Sequence, residues 1–144
     1  MSILTIEKQI RIAAPASRVF DALSDPEQIV QYYPIKSVTS SQEVSGAILF
    51  KGEVDGTPFT DYGTIEILDR PQRFRYHYWS DNHGTADTPE NRMVIDYQLS
   101  CDGDDTVLTL THSNLLSADR QAMMAPVWDF LLGGLKNYLE TDAR

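Results

Sequence analysis

Ile10-Arg11-Ile12-Ala13-Ala14-Pro15-Ala16-Ser17-Arg18-Val19-Phe20-Asp21-Ala22-Leu23-Ser24-Asp25-Pro26 changes its hydrophobic period in mid-course. Upstream, Leu4, Ile6, Ile10 and Ile12 share one face and Glu7, Gln9 and Arg11 the other, the period of two of a half-buried strand over residues 3–12. Pro15 suits a first helical turn, where its missing N–H is not needed, and Val19, Phe20 and Leu23 then take helical spacing. Asp25-Pro26 ends that helix and starts a second, with Asp25 as N-cap and Glu27 in the first turn. The second helix is predicted to reach about Gln31, where Tyr32-Tyr33-Pro34 breaks it. A strand thus runs straight into two short helices.

Outward from this stretch the sequence turns to strands. Segments near 36–42 and 46–54 are joined around Ser45-Gly46, and Asp55-Gly56 is a hairpin signal. Residues 58–69 follow, with Gly63, Ile65 and Ile67 assigned to one face. Beyond Arg70-Pro71, Phe74, Tyr76 and Tyr78 alternate with Arg73, Arg75 and His77. Ser80 to Asn91 is polar and aperiodic, a long loop that holds His83. Strands at 92–101 and 106–113 flank the tight-turn run Asp102-Gly103-Asp104-Asp105. Met93, Ile95, Tyr97 and Leu99 alternate on the first of them, and Leu108, Leu110 and His112 on the second.

From about Ser117 to Thr141 the spacing is helical. Met124, Val127 or Trp128, Leu131, Leu135 and Tyr138 or Leu139 form one apolar stripe. Pro126 is expected to offset the first turns, and Gly133-Gly134 costs about 1 kcal/mol per glycine relative to alanine. Either a close approach of the helix backbone to the sheet or a local hinge accounts for the pair. The order of elements predicts an α+β helix-grip fold. A curved antiparallel sheet wraps a long C-terminal helix, two short helices follow the first strand, and residues 1–144 form one domain.

These segments resemble the Bet v 1/START-like (SRPBCC) superfamily, in the branch of the Hsp90 ATPase activator C-terminal domain. Residues 12–26 are similar to that branch's opening motif, and Gly63 through Arg73 to its strand–turn–strand stretch with a proline. Trp128, Leu131, Leu135 and Tyr138-Leu139-Glu140 are similar to its closing helix. Where many members have a tryptophan-containing step after the second helix, this chain has Tyr32-Tyr33. The resemblance implies a container for lipids, hormones, polyketides or other apolar ligands. It also implies that a minority of relatives are cyclases, dehydratases or hydrolases, and that co-chaperone activity goes with relatives carrying further domains.

Composition narrows the function classes. With 21 acidic and 12 basic residues the chain carries a net charge of −9, which repels phosphate backbones and anionic headgroups, so nucleic-acid binding is not expected. No apolar run approaches the ~20 residues of a bilayer span, so membrane insertion is not expected either. Met1-Ser2-Ile3-Leu4-Thr5 lacks the basic and apolar regions of a secretory signal, and the single cysteine, Cys101, forms no intrachain disulfide. A cytoplasmic location is the expectation. Cys101 sits beside an acidic turn that disfavours a thiolate. Three scattered histidines without metal-ligand spacing predict no metal site, and the absence of glycine-rich phosphate loops predicts no cofactor.

The candidate ligand-binding residues are those aimed at the gripped helix: Phe50, Phe74, Tyr76, Tyr78, Met93, Tyr97, His112, Met124, Trp128 and Leu131. Tyr76, Tyr78, Tyr97 and His112 would orient a ligand, and Phe74, Met124, Trp128 and Leu131 would wall it. Inward tyrosines and a histidine need partners that a dry core supplies poorly. The expected partner is a small hydrophobic molecule in a cavity between sheet and helix, with enzymatic activity not the first expectation. The first rival is a cyclase- or dehydratase-type enzyme using His112 with a pocket tyrosine. The second is a co-chaperone-like interaction module with a protein partner or a second copy of the chain, for which a sheet edge is available.

Overall fold

The computed structural model describes residues 4–82, 84–115 and 117–141; His83 lies outside them. Strand β1 (Leu4–Ile12) leads into α1 (Ala16–Ser24) and α2 (Pro26–Tyr32). Then come β2 (Ser37–Ser40), β3 (Ala47–Val54), β4 (Thr57–Asp69) and β5 (Arg73–Ser80). After a short 3-10 turn at Pro89–Asn91, β6 (Met93–Asp102), β7 (Asp105–Leu115) and the helix α3 (Ala118–Thr141) complete the chain. The seven strands form one sheet in the order β1-β7-β6-β5-β4-β3-β2, with every neighbouring pair antiparallel. This is the helix-grip α+β architecture that the element order predicts. Among the described residues no helix is long and apolar enough to cross a membrane.

Local chemistry accounts for the turns. Asp55 and Gly56 take φ of 51° and 81°, the pair of left-handed residues that a tight hairpin between β3 and β4 requires. Asp25 caps α2, its carboxylate accepting the Glu27 N–H at 3.1 Å. Pro15 stands at the N-cap of α1 rather than inside it. The two ends of the chain are clamped together. The Thr106 hydroxyl donates to the Ala14 carbonyl at 2.8 Å, and the Ala13 N–H donates to the Glu140 carboxylate at 2.9 Å.

Cross-strand partners share a sheet face, so the pairing defines the inner surface. Gly63 opposes Tyr78, Ile65 opposes Tyr76, Phe74 opposes Tyr97, and Ile95 opposes His112. Ile67 departs from the expected face. A bulge between Ile65 and Ile67 pairs Ile67 with the outward Arg75 and brings Leu68 opposite Phe74 instead. One extra residue inverts the alternation beyond it.

α3 runs through Pro126 as one helix, but its buried residues begin only at Trp128 and continue through Leu131, Leu132, Leu135 and Leu139. The glycine pair divides in role. A Cβ on Gly134 would stand 3.3 Å from the Tyr32 carbonyl, so the helix backbone closes on the end of α2 rather than on the sheet. A Cβ on exposed Gly133 would meet nothing within 4 Å. Gly133→Ala is therefore expected to stabilise the protein by about 0.5–1 kcal/mol, read as a higher urea midpoint. An unchanged or lower midpoint would contradict this account.

Candidate functional site

The inner face of the sheet carries an almost unbroken chain of rings. Tyr33 packs on Phe50, Phe50 stacks on Tyr76, and Tyr76 touches both Phe74 and Tyr78. Phe74 stacks on Tyr97, whose ring meets Trp128 edge-on. Of the ten predicted site residues, nine are buried and Met124 is half-buried against them. Phe74 meets Phe20 of α1, and Tyr97 and His112 meet Trp128 of α3.

The layers close tightly. Two voids of about 10 Å³ and 20 Å³ separate sheet from α3. The smaller is lined by Tyr97, Trp128 and Leu131 together with Leu23, Tyr32, Tyr33, Leu132 and Leu135. The larger is lined by Phe50, Tyr76, Tyr78, Met124 and Trp128 together with Tyr33, Asp61 and Ile95. Phe74, Met93 and His112 line neither and pack behind them. A void needs roughly 10–15 Å³ to hold one water, whereas a drug-sized ligand occupies about 300 Å³ or more. Binding such a ligand would require α3 or the α2 end to move.

His112 is fully buried, and both its ring nitrogens are engaged. Trp128 Nε1–H donates to Nδ1 at 2.9 Å, so the neutral ring carries its proton on Nε2, which lies 3.2 Å from the Tyr78 hydroxyl oxygen. The Tyr78 hydroxyl can then direct its own proton toward Met93 Sδ at 4.0 Å. His112 therefore positions Tyr78 and Trp128, and no ring nitrogen is turned to either void. Burial pushes the Tyr76, Tyr78 and Tyr97 hydroxyls well above the ordinary phenol range, so they act as protonated donors.

Three residues outside the predicted set complete the polar lining: Tyr32, whose hydroxyl donates to the Ala22 carbonyl at 2.8 Å, Tyr33 and Asp61. Tyr33, just past α2, borders both voids. Asp61 on β4 borders the larger one; burial pushes its carboxyl up to about 6, the Ser80 hydroxyl opposes this and Asp81 adds to it. Asp61 was legible in principle, since it lies two residues before Gly63 on the same alternating face. Among the described residues, no group of His, Cys, Asp and Glu is arranged to hold a metal.

A larger concavity lies elsewhere. A groove of about 850 Å³ lies on the outer face of the sheet, bordered by Glu66, Arg75, His77, Asp87 and Arg92. Its charges are already matched, Arg75 to Glu66 at 3.1 Å and Arg92 to Asp87 at 2.9 Å. The groove is a seam between sheet and loop. The Asn114 side chain holds it by donating to the Glu90 and Arg92 carbonyls.

Solved structures share this architecture. ChR145 from Cytophaga hutchinsonii aligns with a TM-score of 0.84 at 30% identity over 99% of each chain. CalU16 from Micromonospora echinospora aligns at 0.75 and 22% identity over 96% of this chain and 75% of its own. The Aha1 dimer from Colwellia psychrerythraea aligns at 0.77 and 20% identity over 95% of this chain and 96% of its own. At the latter two identities the likeness is one of fold. No curated protein matches the chain. A sequence model described as activator of Hsp90 ATPase homolog 1-like protein matches residues 13–140.

Proposed function

This chain belongs to the activator of Hsp90 ATPase homolog 1-like family, and from that premise we propose that it binds a small, mostly apolar molecule between the sheet and α3. One observation carries the reading. Around the two voids, the hydroxyls of Tyr33, Tyr76 and Tyr97 have ring contacts but no hydrogen bond within the described residues. Among the described residues Thr88 Oγ1 is the one fully buried side-chain nitrogen or oxygen without a partner, so these hydroxyls keep some accessible surface at the voids, whereas an interior selected for packing alone would carry phenylalanine at these positions. A ligand with apolar walls and one or two polar atoms meets both needs. Phe50, Met124, Trp128 and Leu131 supply the walls.

Entry would come from the first half of α3. Residues 118–127 contribute no buried side chain, and Pro126 removes the backbone bond that would tie it to Ala122. Lifting that half opens the larger void while Leu131, Leu132, Leu135 and Leu139 hold the rest.

The test is thermal unfolding with a panel of long-chain alcohols and amines, steroids and polycyclic phenols. A ligand at a hundred times its dissociation constant stabilises by about 2.7 kcal/mol, or about 5–10 °C in Tm for a chain of this size. If no compound raises Tm, the reading fails. A second reading, a protein-interaction module, is favoured by the exposed strip of Met123 (57%), Val127 (39%) and Phe130 (66%) on α3. It expects no ligand-dependent shift in the same experiment.

A further inference from the structure

Asp96 and Asp61 are two carboxylates withdrawn from water on opposite faces of the sheet, and they differ in how their charge is met. Asp96 on β6 is buried on the outer face and is answered by two guanidinium groups, Arg73 at 2.7 Å and Arg75 at 3.3 Å. Asp61 faces inward beside the larger void, and among the described residues no Lys or Arg forms an ion pair with it. Ser80, whose hydroxyl proton goes to Asn82 Oδ1 at 2.7 Å, stands opposite Asp61 on β5, and the charge acting on Asp61 is another carboxylate, Asp81. Arg120, in the first turns of α3, acts on the Tyr78 hydroxyl. A partly desolvated anion beside a second anion calls for a cation.

The rest of the void has the matching chemistry. Tyr33, Phe50, Tyr76, Tyr78 and Trp128 line the space that Asp61 borders. Aromatic faces attract a cation through their quadrupole, most strongly where water is excluded. We infer that the ligand taken at this end of the interior carries a cationic amine, seated against the Asp61 carboxylate within the wall formed by Tyr33, Phe50, Tyr76, Tyr78 and Trp128. The apolar remainder of the molecule extends along Met124 toward the smaller void. The net charge of −9 favours the approach of a cation and disfavours a carboxylate of the same length.

This inference rests on the ligand-binding reading above, and one titration series separates the two. Decylammonium, decanol and decanoate are titrated calorimetrically into the full chain at pH 7.5 and in wild type and Asp61→Asn. Decylammonium is expected to bind one-to-one and about ten- to a hundredfold more tightly than decanol, with decanoate weakest. Asp61→Asn lowers decylammonium affinity about ten- to a hundredfold, to the level of decanol in the same variant. The wild-type protein supplies an arm that needs no variant. A primary amine stays charged throughout, so the pH dependence reports the carboxyl. Protonating Asp61 removes the attraction, and with its carboxyl at about 6 in the free protein, affinity for decylammonium falls about tenfold from pH 7.5 to pH 5. Decanol shows no such fall. Equal binding of decylammonium and decanol, at both pH values, overturns the amine inference while leaving the pocket intact. Binding of none of the three overturns both.

Discussion

Trp128→Ala is expected to lower stability by about 4 kcal/mol, within the range of an aromatic-to-alanine truncation in a closed core. Trp128 is 2% exposed and borders both voids, so removing the indole joins them into one larger cavity. The substitution also deprives His112 Nδ1 of its 2.9 Å donor, leaving a buried acceptor unmade at a cost of about 1–3 kcal/mol within that total. The edge-on contacts with Tyr97 and His112, at ring separations of 6.2 and 5.8 Å, disappear as well. For a domain of this size the loss corresponds to a Tm lower by about 8–16 °C. Trp128→Phe divides the effect. It keeps most of the ring and removes only the N–H, so about 1–2 kcal/mol is expected from it. If Trp128→Ala costs less than the phenylalanine variant, Trp128 is not what separates the voids.

Why some of this was legible in the sequence and some was not has a physical basis. Alternation is a backbone property, so Phe74, Tyr76, Tyr78, Met93, Tyr97 and His112 could be assigned to the inner face from their spacing alone. The same rule fails at Ile67, because a bulge is a property of two paired strands and leaves no mark in one of them. Asp61 was in register to be found, yet a carboxylate in a strand reads as outward until Ser80 and the aromatic wall are seen beside it. The size of the interior was hidden for another reason. How closely α3 settles on the sheet depends on whether Trp128, Tyr33 and Tyr97 interleave or stand apart, which no periodicity records. His112 shows the limit most sharply. Its inward direction was readable, but its engagement by Trp128 on one side and Tyr78 on the other was not, since both partners come from other elements of the chain.

The other large effect is expected at Gly63, for a reason that concerns the sheet rather than the site. Gly63 lies in β4 between Ile48 of β3 and Tyr78 of β5. A Cβ there would stand 2.7 Å from Ile48 Cγ2, 3.0 Å from the Ile48 carbonyl oxygen and 3.3 Å from the His77 carbonyl oxygen. Ile48 is fully buried, and the two carbonyls belong to the strands on either side, so none of the three neighbours yields cheaply. Gly63→Ala should therefore cost about 2–3 kcal/mol, the range of overpacking in a closed core, although alanine is the smallest side chain available. The urea midpoint falls by about 1 M with an unchanged slope if the fold survives. The contrast with Gly133→Ala removes helix and strand propensity as the explanation, because the same chemical change then acts in opposite directions in one protein. Asp61 sits two residues from Gly63 on the same strand face, so a β4 pushed off Ile48 also displaces the carboxylate. In a Gly63→Ala protein that remains folded, decylammonium affinity should consequently fall along with stability, while a variant as stable as wild type would show that β3 and β4 have room that their backbone positions deny.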